Sequence, residues 1–120
     1  MWIVFGATGD RDKAKRPLMG EIAAKLADRI VLTDEEPYSE DPAAIRAAIM
    51  EGIKTAGGEN KTAEIADRGE AIAKAITEAR PRDAVVITGM GHESVRIVAG
   101  KKLPWSDVDV ARKALQEKAK

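Results

Sequence analysis

Three short segments gather most of the residue types that could do chemistry. The first is Gly6-Ala7-Thr8-Gly9-Asp10-Arg11-Asp12-Lys13-Ala14-Lys15-Arg16, with six charged residues in the seven positions from Asp10 to Arg16. Phosphate loops are the obvious comparison. A Walker A loop needs four residues between its glycines, followed by Lys and Ser or Thr. Here two residues separate Gly6 from Gly9 and Lys13 is followed by Ala14, which excludes a standard P-loop. Gly-Ala-Thr-Gly also occurs in dinucleotide-binding loops, but those need a further glycine for the pyrophosphate approach, and Asp10 and Asp12 would repel that group. The interleaved signs suit a zwitterion better. Arginine pairs bidentately with carboxylates, so a loop holding both signs can bind an amino acid, although a solvated surface connection has the same composition.

The second segment, Asp34-Glu35-Glu36-Pro37-Tyr38-Ser39-Glu40-Asp41, carries five acids. The third is Gly89-Met90-Gly91-His92-Glu93. His92 is the only histidine. It has no Ser or Cys partner in a nucleophile motif and no second histidine for a metal site, so a structural or exposed role is its ordinary reading. Glu93 follows two flexible glycines and could hold an ammonium group.

The elements around these segments explain why they could converge. Trp2-Ile3-Val4-Phe5 reads as a strand, a helix is expected from Pro17 because proline is harmless at the first helical position, and Ile30 to Thr33 reads as a second strand. Leu18, Ile22 and Leu26 recur at helical spacing and predict the apolar stripe of the first helix. Asp41 with Pro42 predicts the start of a second helix, with Ile45, Ile49 and Ile53 as its buried row. Thr62 to Ala66 is a short strand. Asp67 is expected to cap a helix over 68–80, with Ile72, Ala75, Ile76 and Ala79 on one face. Ala84 to Thr88 is continuous and β-branched, as buried central parallel strands are. Val95 to Val98 alternates as a strand near the edge, Ala99 to Lys102 is its turn, and Ser106 caps a last helix with Val108, Ala111 and Leu115 facing the core. Alternating strands and helices predict a three-layer α/β domain, with a mostly parallel sheet of about five or six strands and four main helices. In such a sheet all three chemical segments follow strands, at the edge where ligands bind.

Composition bounds the function. The 120 residues fit one domain and include 20 acidic and 20 basic side chains, a net charge of zero. No broad basic field exists to attract nucleic acid and no polybasic tail addresses a membrane. There is no cysteine, which excludes disulfides, thiolate nucleophiles and Cys-based zinc sites. No apolar run approaches a membrane span and no signal peptide is visible, so a cytoplasmic location is expected.

Val4 to Gly20, VFGATGDRDKAKRPLMG, resembles the opening of the C-terminal domain of the Mur ligases, nearest to the MurE type, the UDP-N-acetylmuramoyl-tripeptide synthetases. Thr33 to Pro37 with Glu40-Asp41-Pro42, Asp67-Arg68 with Ala71-Ile72, Gly89 to Glu93, and Pro104-Trp105-Ser106-Asp107 agree in order and spacing. The resemblance covers nearly the whole chain. It implies a Rossmann-like lobe of an ATP-dependent amide ligase of peptidoglycan precursor synthesis, in which an amino acid's amine attacks an acyl phosphate. Carried over by position, Arg11 would meet a carboxylate of the incoming amino acid, and Gly89 and Glu93 its far end, with Glu93 on an ammonium. Asp34, Glu35, Glu36 and Tyr38 would select the side chain, with Asp10, Lys13, Arg16 and His92 in support.

Two departures stand out. Diaminopimelate-adding members carry Asp-Asn-Pro-Arg in the selecting loop. Here Glu35 and Glu36 precede Pro37 and Tyr38 replaces the arginine, an acidity that suits a diamino acid such as lysine. Met90 replaces a common lysine. ATP and Mg²⁺ are expected on the ATPase domain of a longer enzyme, which with a UDP-binding domain would partner this lobe. Alone, the lobe is expected to have no catalytic residue and no metal. The alternative is a free-standing α/β small-molecule-binding or interaction module that has lost ligase activity.

Overall fold

The structure, a computed structural model, describes residues 1–10, 12–90, 95–98 and 101–119. Its main sheet has four parallel strands, β1 (Trp2–Phe5), β2 (Arg29–Leu32), β3 (Thr62–Glu64) and β4 (Val85–Ile87), in the order β3-β2-β1-β4. Helices α1 (Lys15–Leu26) and α2 (Pro42–Thr55) join β1 to β2 and β2 to β3, and α3 (Arg68–Glu78) joins β3 to β4. An antiparallel hairpin of β5 (Val95–Val98) and β6 (Lys101–Pro104) precedes α4 (Asp107–Lys118). The α/β class and the four main helices match the sequence reading, but of the six strands among the described residues two form this separate hairpin instead of extending the parallel sheet.

Side-chain alternation along the strands builds two cores. Phe5, Ile30 and Leu32 point to the layer of α1 and α2, where Ile45, Ile49 and Ile53 form the expected row. Trp2, Val4 and Val31 point to the opposite layer, against Ala71, Ile72, Ala75 and Ile76 of α3 and Ala114 of α4. The period of two in strands and 3.6 in helices requires this sorting. The Asp41 carboxylate accepts from the Ala43 N–H, Asp67 from the Glu70 N–H, and the Ser106 hydroxyl oxygen from the Asp109 N–H, so all three expected caps form.

Several expectations are corrected. Helix α1 begins at Lys15, two residues before Pro17, and its apolar stripe faces outward: Leu18, Ile22 and Leu26 are 53%, 48% and 70% exposed. The helix instead buries Arg16, Gly20, Ala23 and Ala24. A Cβ on Gly20 would lie 2.2 Å from the Ile49 carbonyl oxygen, and one on Gly52 only 1.7 Å from that of Pro17. Helices α1 and α2 therefore touch backbone to backbone, and large side chains are expelled from the contact. Strand β4 is at the edge of the sheet and not at its centre. Val85 and Ile87 pack toward α3 and α4, while Val86 faces the other side and is exposed, because α1 and α2 serve β1 and β2. Lys101 and Lys102 belong to β6 and not to a turn. On α4, Val108 and Leu115 are exposed, and Asp107 and Ala114 are the buried residues.

Candidate functional site

The chain leaves β1 toward β2 on one side and reaches β4 on the other, so the carboxyl ends of β1 and β4 flank a topological switch point. Open α/β sheets place ligands in the crevice at such a point. The loops after β1, β2 and β4 lie at that edge, as the sequence reading required, and the contacts between them can be followed residue by residue.

The first two loops interlock. The Gly9 N–H donates to the Glu36 carbonyl at 2.7 Å, and a Cβ on Gly9 would fall 1.8 Å from the Pro37 carbonyl oxygen. The Thr8 hydroxyl donates to Glu35 at 2.5 Å. The Ser39 hydroxyl donates to Asp10 at 2.7 Å, and the Asp10 N–H donates to Glu40. Arg16 is buried and reaches both Glu40 oxygens, at 3.0 and 2.7 Å, and the Thr8 carbonyl at 3.1 Å. Lys13, largely exposed, stands 3.6 Å from the same carboxylate. The hydrogen bonds from Arg16 and from the Asp10 amide hold the Glu40 carboxyl down at about 2. The acidic segment after β2 thus meets the basic part of the first loop, through Glu40.

The second loop also touches the third. Gly89 has φ +106°, a conformation that side chains resist, and a Cβ there would lie 2.2 Å from a Glu35 carboxylate oxygen. Burial pushes the Glu35 carboxyl up, against the Thr8 hydrogen bond and the attraction of Arg68. Met90 is 1% exposed and fills the interior beside this contact. Asp34 is held by Arg46 of α2 at 2.5 Å, and Arg46 also donates to Glu64 at 2.9 Å. Tyr38 is half-buried with φ +51°.

The centre of this edge is a residue to which the sequence reading gave no role. Arg68, the first residue of α3, is fully buried. It donates to both Asp107 oxygens at 2.8 and 2.7 Å, to the Asp34 carbonyl at 3.1 Å and to the Thr88 carbonyl at 2.9 Å. The Trp105 indole donates to the same Asp107 at 2.6 Å. For Asp107, burial pushes the carboxyl up, but the bonds from Arg68 and Trp105 outweigh it and hold the group below the ordinary range. One guanidinium thus ties the ends of β2 and β4 to the start of α4. A bidentate pair of this kind adds geometric specificity as well as energy. Nothing local marks Arg68 as buried. The adjacency of the cap Asp67 and the Trp105-Ser106-Asp107 string were the only signals.

A cleft of about 410 Å³ opens between Ala7, Thr8, Asp12, Lys15, Arg16, Met19 and Glu35. Both signs of charge line it, and Asp12 and Lys15 are exposed at its rim. Arg11, His92 and Glu93, three of the expected site residues, lie outside the described residues, while Asp10, Lys13, Arg16, Asp34, Glu35, Glu36, Tyr38 and Gly89 share this edge. No group of His, Cys, Asp or Glu with the arrangement of a metal site occurs among the described residues.

The strand order and the loop cluster define a doubly wound α/β domain with its crevice at the carboxyl edge. A family model described as "Mur ligase, glutamate ligase domain" matches residues 1–91. The chain belongs to that family, as the opening motif implied. It is 50% identical over 115 residues to the UDP-N-acetylmuramoyl-L-alanyl-D-glutamate--2,6-diaminopimelate ligase of Rickettsia prowazekii, an alignment covering 96% of this chain and 23% of that protein. The ligase of the same name from Bradyrhizobium diazoefficiens is 50% identical over 113 residues, covering 94% and 22%. A solved structure of a ligase with this name superposes with a TM-score of 0.90 at 39% identity, over 99% of this chain and 24% of the other. The chain spans about a quarter of the length of these relatives. No helix among the described residues is long and apolar enough to cross a membrane.

Proposed function

We propose that this chain is the amino-acid-binding lobe of a MurE-type amide ligase, acting in peptidoglycan precursor synthesis on a UDP-N-acetylmuramoyl peptide. The observation that carries the reading is the interlocking of three loops at the switch point, fixed by Thr8–Glu35, Arg16–Glu40 and Arg68, in a chain half identical to diaminopimelate ligases. A rigid wall with both signs of charge suits a zwitterion, and holding the amino acid in one orientation converts much of a bimolecular encounter into a positioned one. In this reading Arg11 takes a carboxylate and Glu93 an ammonium. Asp34, Glu35, Glu36, Tyr38 and Gly89 shape the pocket, and Asp10, Lys13, Arg16 and His92 support it.

The first loop is not shaped to cradle a phosphate. Gly6 and Gly9 are pressed against the backbone of Thr33 and Pro37 and leave no phosphate approach. In this reading ATP and Mg²⁺ belong to a central lobe, which with an N-terminal UDP-binding lobe completes the enzyme, and this lobe positions the amino acid. The reading carries with it a cytoplasmic location, where ATP and nucleotide-linked precursors are found.

A chimera tests it. Replacing the matching C-terminal segment of the Rickettsia prowazekii relative with this chain should give ATP-dependent amide formation on UDP-N-acetylmuramoyl-L-alanyl-D-glutamate. A chimera that folds, hydrolyses no ATP in response to any diamino acid and forms no product would defeat the reading and favour a module that has lost ligation.

A further inference from the structure

The two edges of the main sheet are finished differently. At the β3 edge, Glu64 is held by Arg46 of α2 and the Thr62 hydroxyl donates to the Gly58 carbonyl, so polar side chains guard the strand. At the β4 edge, Val85, Val86 and Ile87 carry no charge, and among the described residues no strand lies beyond them. The ladder to β1 uses the Ala84 carbonyl, which accepts from the Trp2 N–H, and the Thr88 N–H, which donates to the Val4 carbonyl. Alternate residues bond to the same neighbour in such a ladder, so the N–H and C=O groups of Val85 and Ile87 point away from the sheet. Beside them a groove of about 510 Å³ runs between β4 and α4, floored by Ile76, Ala79, Val85, Ile87, Ala111 and Leu115. Leu115 is 58% exposed there, Val108 lines the continuation of the groove, and Val86 on the opposite face of the strand is 38% exposed. A bare apolar edge of this kind is a template for another strand, which natural sheets otherwise blunt with charges.

We propose that the β4 edge pairs antiparallel with the same edge of a second copy of this chain, joining two parallel sheets into one continuous sheet. The register follows from which groups are free. A two-fold axis at Val86 sets Val85 opposite the partner's Ile87, so that each such pair exchanges both backbone bonds, and sets Val86 against the partner's Val86. Charge supports the same arrangement. Helix α4 runs antiparallel to β4, since Asp107 at its start is tied through Arg68 to the Thr88 carbonyl and Lys118 at its end donates to the Ile76 and Ala79 carbonyls. One end of the groove therefore carries Arg80, Arg82 and Asp83, and the other Arg112 with Asp109 beside it. The two-fold brings unlike ends together, Arg82 toward the partner's Asp109 and Asp83 toward the partner's Arg112, the self-complementarity an isologous interface needs. The chain's own hairpin does not suit this edge. Residues 95–104 bring Arg96, Lys101 and Lys102 and no acid to a rim that already holds Arg80, Arg82 and Arg112. The pairing lies along the side of the sheet and does not rest on the amino-acid-binding reading of the crevice.

The chain has no cysteine, so a single introduced thiol reports the interface. Facing residues of a non-hydrogen-bonded antiparallel pair lie about 4.5 Å apart between Cα atoms, within reach of a disulfide. Under mild oxidation Val86→Cys should give a covalent dimer. Ile22→Cys, on the outward stripe of α1 and more exposed than Val86, should not. Sedimentation equilibrium of the full 120-residue chain should show a concentration-dependent monomer–dimer equilibrium, weakened about tenfold or more by Val86→Lys, with thermal unfolding of that variant checking that the fold is kept. Arg82→Glu should weaken the dimer less, and combining it with Asp109→Arg should restore the loss. Wild type that stays monomeric at every concentration, a dimer that survives Val86→Lys, or cross-linking through Ile22→Cys as efficient as through Val86→Cys would overturn the proposal. Should Val86→Lys fail to fold, the two thiol variants decide it alone.

Discussion

Arg68 and Arg96 are two arginines set around the Trp105–Asp107 pair, and they are treated in opposite ways. Arg68 is wholly buried, and its nitrogens reach Asp107 twice and the carbonyls of Asp34 and Thr88. Arg96 is partly buried, rests on Trp105, and leaves Nε and Nη1 unpaired. A cation fully matched by fixed partners has no capacity left for a ligand, so Arg68 is a structural tie. A cation left unmatched carries a desolvation cost that nothing offsets. Burial alone does not separate the two roles. The count of satisfied donors does.

The sharpest way to break the contrast is Arg68→Ala. It strands the Asp107 carboxylate and two carbonyls, and should cost about 3–5 kcal/mol in denaturant unfolding, whereas Arg96→Gln should cost nothing measurable. Similar losses from both would erase the distinction. Next in size is Gly89→Ala, which meets both the positive φ and the Glu35 carboxylate. About 1–3 kcal/mol of destabilisation is expected. Pairing it with Glu35→Ala should recover the part due to the collision but leave the part due to backbone conformation, a split that a double-mutant cycle reads directly.

Two smaller effects concern protons. The Glu40 carboxyl is held at about 2, below its ordinary 4.5. Its pairing with Arg16 therefore contributes stability that is fully present above 4.5 and is lost as pH falls toward 2. An NMR titration of the Glu40 side chain should show that low midpoint, and Arg16→Gln should move it upward. Glu35 has the opposite sign, since burial raises its carboxyl. Ionising it opposes folding as pH rises above 4.5, so Glu35→Gln should raise the melting temperature slightly at neutral pH and less at pH 4. A Glu35→Gln gain that does not grow with pH would show that the Thr8 hydrogen bond compensates the burial.

What the sequence disclosed was mostly local. The caps Asp41, Asp67 and Ser106 and the row Ile45, Ile49 and Ile53 depend on neighbours within a turn or two, and each is where the pattern put it. The alternation of strands and helices also predicted that the acidic segment after β2 and the first loop would share an edge, and Glu40 meets Arg16 and Lys13 there. The outward stripe of α1 was not legible, because it depends on Gly52 of another helix admitting the Pro17 backbone. The edge position of β4 was hidden for a similar reason, since strand order is settled by which helices cross which face. Arg68 was hardest to see: its burial depends on Asp107, 39 residues away. Membership of the Mur ligase domain family was legible from the opening motif, because Gly6, Gly9, Asp10 and Arg16 are all held by specific contacts with the second loop.

The hairpin of β5 and β6 has a consequence for amide exchange. Its ladder runs from Val95 opposite Pro104 to Val98 opposite Lys101, and among the described residues it forms a sheet of its own. Among the described residues, opening it breaks no ladder of the main sheet, so its amides should exchange with solvent as a separate cooperative unit, at a lower free energy than those of β1 and β2. Protection factors should then set β5 and β6 apart from β1, β2 and the helices packed on them, α4 included.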